Sequence, residues 1–259
     1  MRTLVIGDIH GALKSLQDVL IKCNYDVDTD RLIFLGDYVD GWGESAELVD
    51  YLLGIYNKAH FNYKGDPKVI FIRGNHDNWC QDWLNMGHSP IIWTEQGGKA
   101  TLESYVRTGL LVEQSHKDFF NNLLNWYIDE NNNIFIHGGW DYKSDEFPTS
   151  ALYPVNAGAD AKECHWDRSL LKNAAAVEIF AKKGMHDYNK KVKKALDQFN
   201  KVFIGHTATS SHLPEKFYNL WNIDSGCGWS GKLTVMDVDT EEYWQSEFSK
   251  EHYPDEKGR

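Results

Sequence analysis

The chain has 259 residues, of which 38 are acidic and 27 are basic, so its formal net charge is −11 at pH 7. This length fits one large α/β domain, and the acidic balance argues against nucleic acid as a partner, because no basic face offsets phosphate repulsion. The four cysteines form no CxxC pair, and no apolar stretch reaches the length of a membrane helix. We therefore expect no zinc knuckle, no membrane partner and a cytoplasmic protein.

Strands and helices alternate in the first part of the chain. Short apolar runs at 3–6, 31–35 and 68–72 predict three buried strands. Apolar residues at helical spacing within 13–23 and 48–56 predict the two connecting helices. This βαβαβ order predicts a parallel sheet covered by helices, in which ligands bind outside the carboxyl ends of the strands.

The middle of the chain, from about 79 to 127, is predicted to be helical because apolar side chains recur at 102–106 and 119–127. A strand at 134–136 follows, and then a loop at 140–154. Later segments predict helices at 169–183 and 190–199 and a strand at 202–204. Runs at 219–223 and 232–238 predict an antiparallel pair joined through the glycine-rich turn at 226–228.

The end of the chain differs in character from the rest. We expect a single domain over 1–248, followed by a polar tail over 249–259. The polarity of the last ten residues predicts that they are frayed.

One pattern recurs where five of the predicted strands end, because a glycine there adjoins an acidic residue, a histidine or an asparagine. The five motifs are Gly7-Asp8-Ile9-His10-Gly11, Gly36-Asp37-Tyr38-Val39-Asp40, Gly74-Asn75-His76-Asp77, His137-Gly138-Gly139 and Gly205-His206-Thr207. Each alone is typical of a turn or of a hydrogen-bonded core histidine. Together they would collect carboxylates and imidazoles at one rim, and such groups are costly to bury unless paired or metal-bound.

The predicted ligand set indicates the kind of metal site. Mixed oxygen and nitrogen ligands suit Mn, Fe or Zn, and we expect Mn first, while the lack of thiolates argues against structural zinc. Six candidate ligands exceed what one catalytic metal usually takes from a protein, so we expect two divalent ions. Asp37 is the natural bridge, because a carboxylate can bind both ions.

The order of these motifs resembles the calcineurin-like metallophosphoesterases and, more narrowly, the bacterial branch of the phosphoprotein phosphatase family, which acts on phosphoserine and phosphothreonine. The likeness spans roughly residues 3–240. It implies an α/β fold, a four-layer αββα sandwich with two mixed sheets flanked by helices. It also implies that a hydroxide bridging two metals hydrolyses a phosphomonoester.

The resemblance implies a role for each motif residue. The first metal would be held by Asp8, His10 and Asp37, and the second by Asp37, Asn75, His137 and His206. His76 would protonate the leaving alkoxide as general acid, and Asp40 would orient His76. Arg168, in His165-Trp166-Asp167-Arg168, resembles a phosphate-binding arginine of the family; its alternative is a surface ion pair with Asp167 or a neighbour.

Two departures from the family pattern bear on the substrate. The second motif of the family continues Asp-Arg-Gly, and that arginine clamps the phosphate, whereas this chain has Asp40-Gly41-Trp42-Gly43. Asp77 stands where protein phosphatases commonly have glutamate, and it is seen also in dinucleoside-polyphosphate hydrolases. Trp42 would be either an apolar wall of the cleft or ordinary packing.

Three hypotheses follow from these residues. The leading one is a serine/threonine protein phosphatase, expected to be a monomer, whose partner is a phosphorylated protein. The alternative is a hydrolase of dinucleoside polyphosphates or other small phosphate esters. A protein-binding scaffold with a degenerate site is a third hypothesis, and the intact His76 and metal ligands argue against it.

Overall fold

The computed structural model describes residues 1–60, 67–143, 152–154, 164–184 and 189–259. Two mixed β-sheets pack against each other in this part of the chain. Five strands form sheet A, in the order β11 (Tyr243–Gln245), β10 (Thr234–Asp237), β1 (Arg2–Ile6), β2 (Asp30–Phe34) and β3 (Val69–Phe71). Strands β1, β2 and β3 run parallel, as predicted, with Ile6 beside Phe34, and β10 pairs with β1 in the antiparallel sense.

Within the described residues, sheet B contains six short strands. Their order is β6 (Leu152–Pro154), β4 (Leu124–Ile128), β5 (Ile134–Ile136), β7 (Val202–Ile204), β9 (Leu220–Asn222) and β8 (Glu215–Phe217). Strands β5, β7 and β9 are parallel, with Ile134 beside Val202, and the outer strands are antiparallel to their neighbours.

Helices lie outside the two sheets. Their bounds are α1 Leu13–Lys22, α2 Ser45–His60, α3 Asn75–Met86, α4 Ile91–Trp93, α5 Lys99–Thr108, α6 Gln114–Asn121, α7 Ser169–Lys182, α8 Lys190–Leu196 and α9 Ser249–His252. A π-helical segment, Thr94–Gly98, joins α4 to α5, and a 3-10 turn, Leu110–Val112, precedes α6. Among the described residues, no helix combines the length and apolarity needed to cross a bilayer.

Three apolar clusters establish the layer order. Val5 and Ile33 of sheet A pack with Phe135 and Phe203 of sheet B, so one cluster lies between the sheets. A second cluster joins the outer face of sheet A to helices of the first half of the chain, and a third joins sheet B to α7 and α8. The predicted αββα sandwich is therefore confirmed, and burial of all three clusters drives its assembly.

Several predicted elements differ in the structure. The helical pattern predicted over 119–127 is wrong at its end, because α6 stops at Asn121 and 124–128 pairs with β5 as strand β4. The runs at 219–223 and 232–238 do not pair, since β9 belongs to sheet B and β10 to sheet A. The predicted loop at 140–154 falls mostly outside the described residues, and its last part forms β6.

The tail also departs from expectation. Residues 249–252 form α9, and Tyr253 is only 2% exposed. Its ring stacks on the buried ring of Trp42, with centroids 5.0 Å apart. The frayed tail predicted from polarity is therefore wrong, because one aromatic residue anchors it to the core.

Candidate active site

The five glycine-containing motifs meet at one rim of the sandwich. Asp8 and Asp37 follow the carboxyl ends of β1 and β2, and Asn75 begins α3 shortly after β3. His137 and His206 follow β5 and β7 of the other sheet. Parallel strands in each sheet place these turns at a common edge, so side chains from both sheets face one another.

Two groups of ligand atoms share one carboxylate. The first group is Asp8, His10 and Asp37, and the second is Asp37, His137 and His206; within each group the ligand atoms lie within 4.8 Å of one another. Asn75 joins the second group, because its Oδ1 is 3.2 Å from the Nε2 of His137. All of these side chains are buried. The structure thus brings together all six predicted ligands and places Asp37 between them.

Hydrogen bonds orient the histidines of this rim. The Nδ1 of His10 lies 2.9 Å from the Val39 carbonyl, and that of His137 lies 2.8 Å from the Leu35 carbonyl. If each Nδ1 donates its proton there, the Nε2 lone pair is directed at the site, as in neutral metal-ligating histidines. The Nε2 of His206 is buried without a hydrogen-bond partner among the described residues. An unpartnered buried nitrogen is what a metal site without its ion would contain.

Charge in the rim also fits bound cations. Burial raises the pKa of Asp8 well above its usual range, and the nearby Asp224 and Asp37 carboxylates raise it further. Burial likewise opposes ionisation of Asp37, yet the His137 and His76 imidazoles hold its pKa well below its usual range. Clustered buried carboxylates are costly unless positive charge compensates them, and two divalent ions would supply it.

Backbone conformation at the rim is unusual. Four functional candidates that are not glycine have positive φ: His10 (54°), Asp37 (53°), Asp40 (70°) and His206 (68°). Positive φ is uncommon for residues other than glycine, although Asp and His tolerate it better than most, and such residues cluster at functional sites. Gly74 shows why glycine accompanies the ligands, because a Cβ there would lie 2.0 Å from the Oδ1 of Asp37. A side chain at this position would displace the shared carboxylate.

The predicted pair of His76 and Asp40 is assembled below the rim. The Nδ1 of His76 lies 2.7 Å from the Oδ2 of Asp40, and both side chains are fully buried. Trp93 Nε1 and Thr101 Oγ1 each donate to Asp40 at 2.7 Å. Burial raises the pKa of Asp40, while the two donors favour its charged form. Burial lowers the pKa of His76 to about 3, and the nearby Asp37 carboxylate opposes that change.

Asp77 stabilises the backbone around Asp37. Its carboxylate accepts hydrogen bonds from the backbone N–H groups of Gly74 (2.7 Å), Asp37 (2.9 Å) and Tyr38 (3.0 Å). These bonds hold the turn that carries Asp37 against the start of α3. Because the carboxylate is occupied and buried, its replacement of glutamate carries little information about the substrate.

Arg168 lies at the edge of the rim. Its Nη1 donates to the His206 carbonyl (3.1 Å) and to Thr207 Oγ1 (2.8 Å), and the residue is exposed. The alternative ion pair with Asp167 is not formed, because that carboxylate accepts from Ser169 Oγ and from a backbone N–H of α7. The guanidinium therefore stays beside the second ligand group.

One further aromatic residue, Trp42, and one further basic residue, Arg73, have structural roles. Trp42 is fully buried and donates its Nε1 hydrogen to the Cys227 carbonyl at 2.7 Å, so the packing interpretation is confirmed. Arg73 is buried, and its guanidinium donates to Asn78 Oδ1 (3.1 Å) and Gln81 Oε1 (2.7 Å). Both partners are neutral amides on α3, so the role of Arg73 is structural.

Sequence reasoning missed four residues of this site. Asp224 interacts electrostatically with Asp8, and Trp93 and Thr101 hold Asp40. Arg259 brings its Nη1 to 3.4 Å from the Nε2 of His10. Thr101 and Asp224 lie in the segments 97–105 and 223–226, which also resemble family motifs, so a signal existed for them. Trp93 and Arg259 carry no comparable signal.

Similarity to known proteins covers nearly the whole chain. A family model described as calcineurin-like phosphoesterase matches residues 1–210. A symmetrical bis(5'-nucleosyl)-tetraphosphatase of Pseudomonas fluorescens (strain Pf-5) is 23% identical over 290 residues, covering 93% of this chain and 90% of the relative. Serine/threonine-protein phosphatase 1 of Salmonella typhimurium is also 23% identical, with 90% of each chain covered.

Solved structures agree on the fold. A crystal structure described as that of a candidate diadenosine tetraphosphatase superposes with a TM-score of 0.58 at 17% identity, covering 94% of this chain and 92% of the other. A metallophosphoesterase from Sphaerobacter thermophilus gives a TM-score of 0.54 at 15% identity, with 98% and 95% covered. At these identities the likeness establishes the architecture of the two sheets.

Proposed function

Because the chain belongs to the calcineurin-like phosphoesterase family, we propose that it hydrolyses phosphomonoesters at a centre of two divalent ions, with phosphoserine and phosphothreonine proteins as its leading substrate class. It is a metal-dependent phosphoric ester hydrolase. The observation that carries the dinuclear proposal is the position of Asp37, which belongs to both groups of ligand atoms. The first ion would take Asp8 and His10, and the second would take Asn75, His137 and His206.

The residues around this centre suggest how the reaction proceeds. When bound, the two ions would activate a water molecule and neutralise charge on the phosphoryl oxygens. The His76 ring lies 5.1 Å from the His10 ring, and its Nε2 has no hydrogen-bond partner among the described residues. With Asp40 stabilising the charged imidazolium at Nδ1, His76 is placed to donate a proton to the leaving oxygen. Arg168 would hold a phosphoryl oxygen from the side of His206.

A second substrate class is favoured by two exposed tryptophans. Trp166 is 47% exposed, with its ring 6.3 Å from that of His206, and Trp229 is 50% exposed beside Arg259. Since Arg259 reaches His10, the two indoles lie on the two sides of the rim. Exposed aromatic rings near a phosphate site are suited to stack nucleobases. Dinucleoside polyphosphates, the substrates named for several relatives, are therefore the second candidate.

A side-by-side assay separates the two classes. Protein stripped of metal by chelation would be supplied with Mn²⁺, Zn²⁺ or Mg²⁺ and offered a phosphothreonine peptide, diadenosine tetraphosphate and p-nitrophenyl phosphate. We expect no turnover before metal is added and the highest activity with Mn²⁺. Preference for the peptide supports the leading class, and preference for the dinucleotide supports the second. Failure to hydrolyse any phosphate ester with any of the ions would refute the proposed function.

The tryptophans give an independent test of the second class. Replacing Trp166 with Ala is expected to raise KM for the dinucleotide by about tenfold, since base stacking is worth about 1–3 kcal/mol. KM for p-nitrophenyl phosphate should stay unchanged, and Trp166→Phe should restore most of the loss. Equal effects on both substrates would argue against a stacking role.

A further inference from the structure

The tail segment 253–259 is held against the rim at three points. Tyr253 stacks on Trp42 at its beginning. In its middle, the Oε2 of Glu256 accepts a hydrogen bond at 2.7 Å from a backbone N–H of the loop after β2. At its end, the backbone N–H of Arg259 donates to the Gly228 carbonyl at 2.8 Å. These contacts fix where the Arg259 side chain enters the site.

The guanidinium of Arg259 lies beside the first ligand group. Its Nη1 is 3.4 Å from the Nε2 of His10. The same His10 Nε2 is 3.5 Å from the Oδ2 of Asp37. Its Cζ lies 5.4 Å from the centre of the Trp229 ring. A partly buried positive group is thus placed beside the first ligand group.

The hydrogen-bonding capacity of this guanidinium is largely unused. Its Nε is buried without a partner in the part of the chain that the structure describes, and none of the ion pairs found there includes Arg259. A guanidinium can only donate, so its contact with His10 requires the Nε2 lone pair. A metal bound by His10 would take that lone pair. Arg259 would then lose this acceptor, and its freed donors would need an anionic acceptor nearby.

The surrounding backbone makes room for this side chain. Gly41 has a φ of +147°, and a Cβ on Gly97 would lie 2.9 Å from the Gly41 nitrogen and 3.3 Å from the Cγ of Arg259. The aliphatic part of Arg259 therefore passes close to a pair of glycines. A cavity of about 700 Å³, lined in part by Gly41, Gly97 and Arg259, continues from this point. It offers space for the part of a substrate beyond its phosphate.

We propose that Arg259 is a substrate-binding residue, which donates hydrogen bonds to the non-bridging oxygens of the phosphoryl group from the side opposite Arg168. Gly41 has no side chain and supplies no positive charge to the site. In this arrangement, Arg259 of the tail supplies that charge. The inference rests on the proposed function, because it requires a phosphate ester at the metal centre. Charge-assisted N–H···O bonds of this kind are among the strongest that a protein forms.

The test compares Arg259→Ala and Arg259→Lys with Lys58→Ala, which removes the same charge from an exposed position on α2 outside the lining of the cavity. Turnover of p-nitrophenyl phosphate gives kcat and KM, and calorimetric titration of the Mn²⁺-loaded protein with inorganic phosphate gives Kd. For Arg259→Ala we expect kcat/KM to fall and Kd to rise by about 10- to 100-fold. Arg259→Lys should be intermediate, Lys58→Ala should match the wild type, and the metal content of all variants should be equal.

Two results would overturn the inference. One is an unchanged phosphate Kd and KM in Arg259→Ala, and the other is a gain of activity, which would mark the tail as an obstruction. Should thermal unfolding show that Arg259→Ala has lost the fold, Arg259→Lys and Arg259→Gln provide the same comparison. The phosphate titration also separates this inference from the proposed function: a wild type that binds phosphate through Arg259 but hydrolyses no ester would refute only the latter.

Discussion

The metal-binding rim and the two arginines beside it are built in different ways. The rim side chains are buried and follow directly after strands of the two sheets, with Asp37 in contact with both ligand groups. Arg168, by contrast, is exposed at the start of α7, and Arg259 is half-buried in the tail. The rim is therefore fixed by the packing of the sandwich. The arginines are carried by segments that can differ without disturbing that packing.

This difference separates two kinds of task. Ligand geometry must be held to within a fraction of an ångström, and strands provide that rigidity. Contacts with the substrate must suit its shape, and loops and tails allow them to vary. Substitutions in the rim should therefore abolish metal binding or chemistry, whereas substitutions of the arginines should mainly weaken phosphate binding.

The largest effect is expected for Asp37→Asn. Loss of the shared negative charge should release both ions and lower kcat/KM by on the order of 10³-fold or more, because two-metal stabilisation of the phosphoryl group disappears. Metal content measured by mass spectrometry, together with the rate, checks this. Asp197→Asn, at an exposed carboxylate after α8, serves as the control. Wild-type metal content in Asp37→Asn would contradict the shared position.

His76→Asn should divide metal binding from catalysis. We expect both ions to remain, because His76 belongs to neither ligand group, while kcat falls by about 10²- to 10⁴-fold through loss of the proton donor. Steady-state rates and metal content, measured on the same preparation, test this expectation. A variant that keeps the wild-type kcat would remove His76 from the reaction, and one that loses its metals would make it part of the rim.

Arg168→Ala should affect binding more than chemistry. Removing one charge-assisted contact is expected to raise KM and the phosphate Kd by about tenfold, with metal content unchanged. Lys172→Ala, on the same helix, controls for the loss of a positive charge. If KM and kcat both stay at wild-type values, the guanidinium only braces the loop of His206 and Thr207.

Tyr253→Phe should have the smallest effect and would sharpen the comparison. The Tyr253 hydroxyl accepts a hydrogen bond from the Lys14 N–H at 2.9 Å and contacts the Glu44 carboxylate. Its loss should lower the free energy of unfolding by about 1 kcal/mol and leave metal content unchanged. We also expect KM to rise slightly, because the tail positions Arg259. Thermal unfolding and kinetics measure the two effects, and a loss of metal would show that tail and rim are coupled.

Local sequence was sufficient to predict that the six candidate ligands lie close together, because each belongs to a glycine-containing motif that follows an apolar run. The common location of His10 and Asn75 could be predicted from that pattern, since parallel strands end at a common edge, whereas their roles as ligands were implied by the family resemblance. The strand and helix pattern predicted a parallel sheet covered by helices, and the αββα layers were expected only from the resemblance to the family. Polarity and periodicity were insufficient for β4, because pairing with β5 overrides a pattern that also suits a helix.

Long-range contacts explain what the sequence could not reveal. Trp93 reaches Asp40 across 53 positions, and Arg259 reaches His10 across 249. Nothing local distinguishes these residues from other tryptophans or terminal arginines. The partners of β9 and β10 were also missed, because the turn between them looked like a hairpin but the chain changes sheets there.

The division of the ligands between the sheets has a consequence for the lifetime of the protein. Asp8 and Asp37 come from sheet A, and His137 and His206 come from sheet B, so bound ions would fasten one half of the sandwich to the other. By mass action, a ligand that binds only the folded state raises its stability as the free concentration of that ligand rises. When metal is scarce, the enzyme would then lose activity and would also unfold and be proteolysed more readily. Its abundance would therefore depend on the supply of its ions.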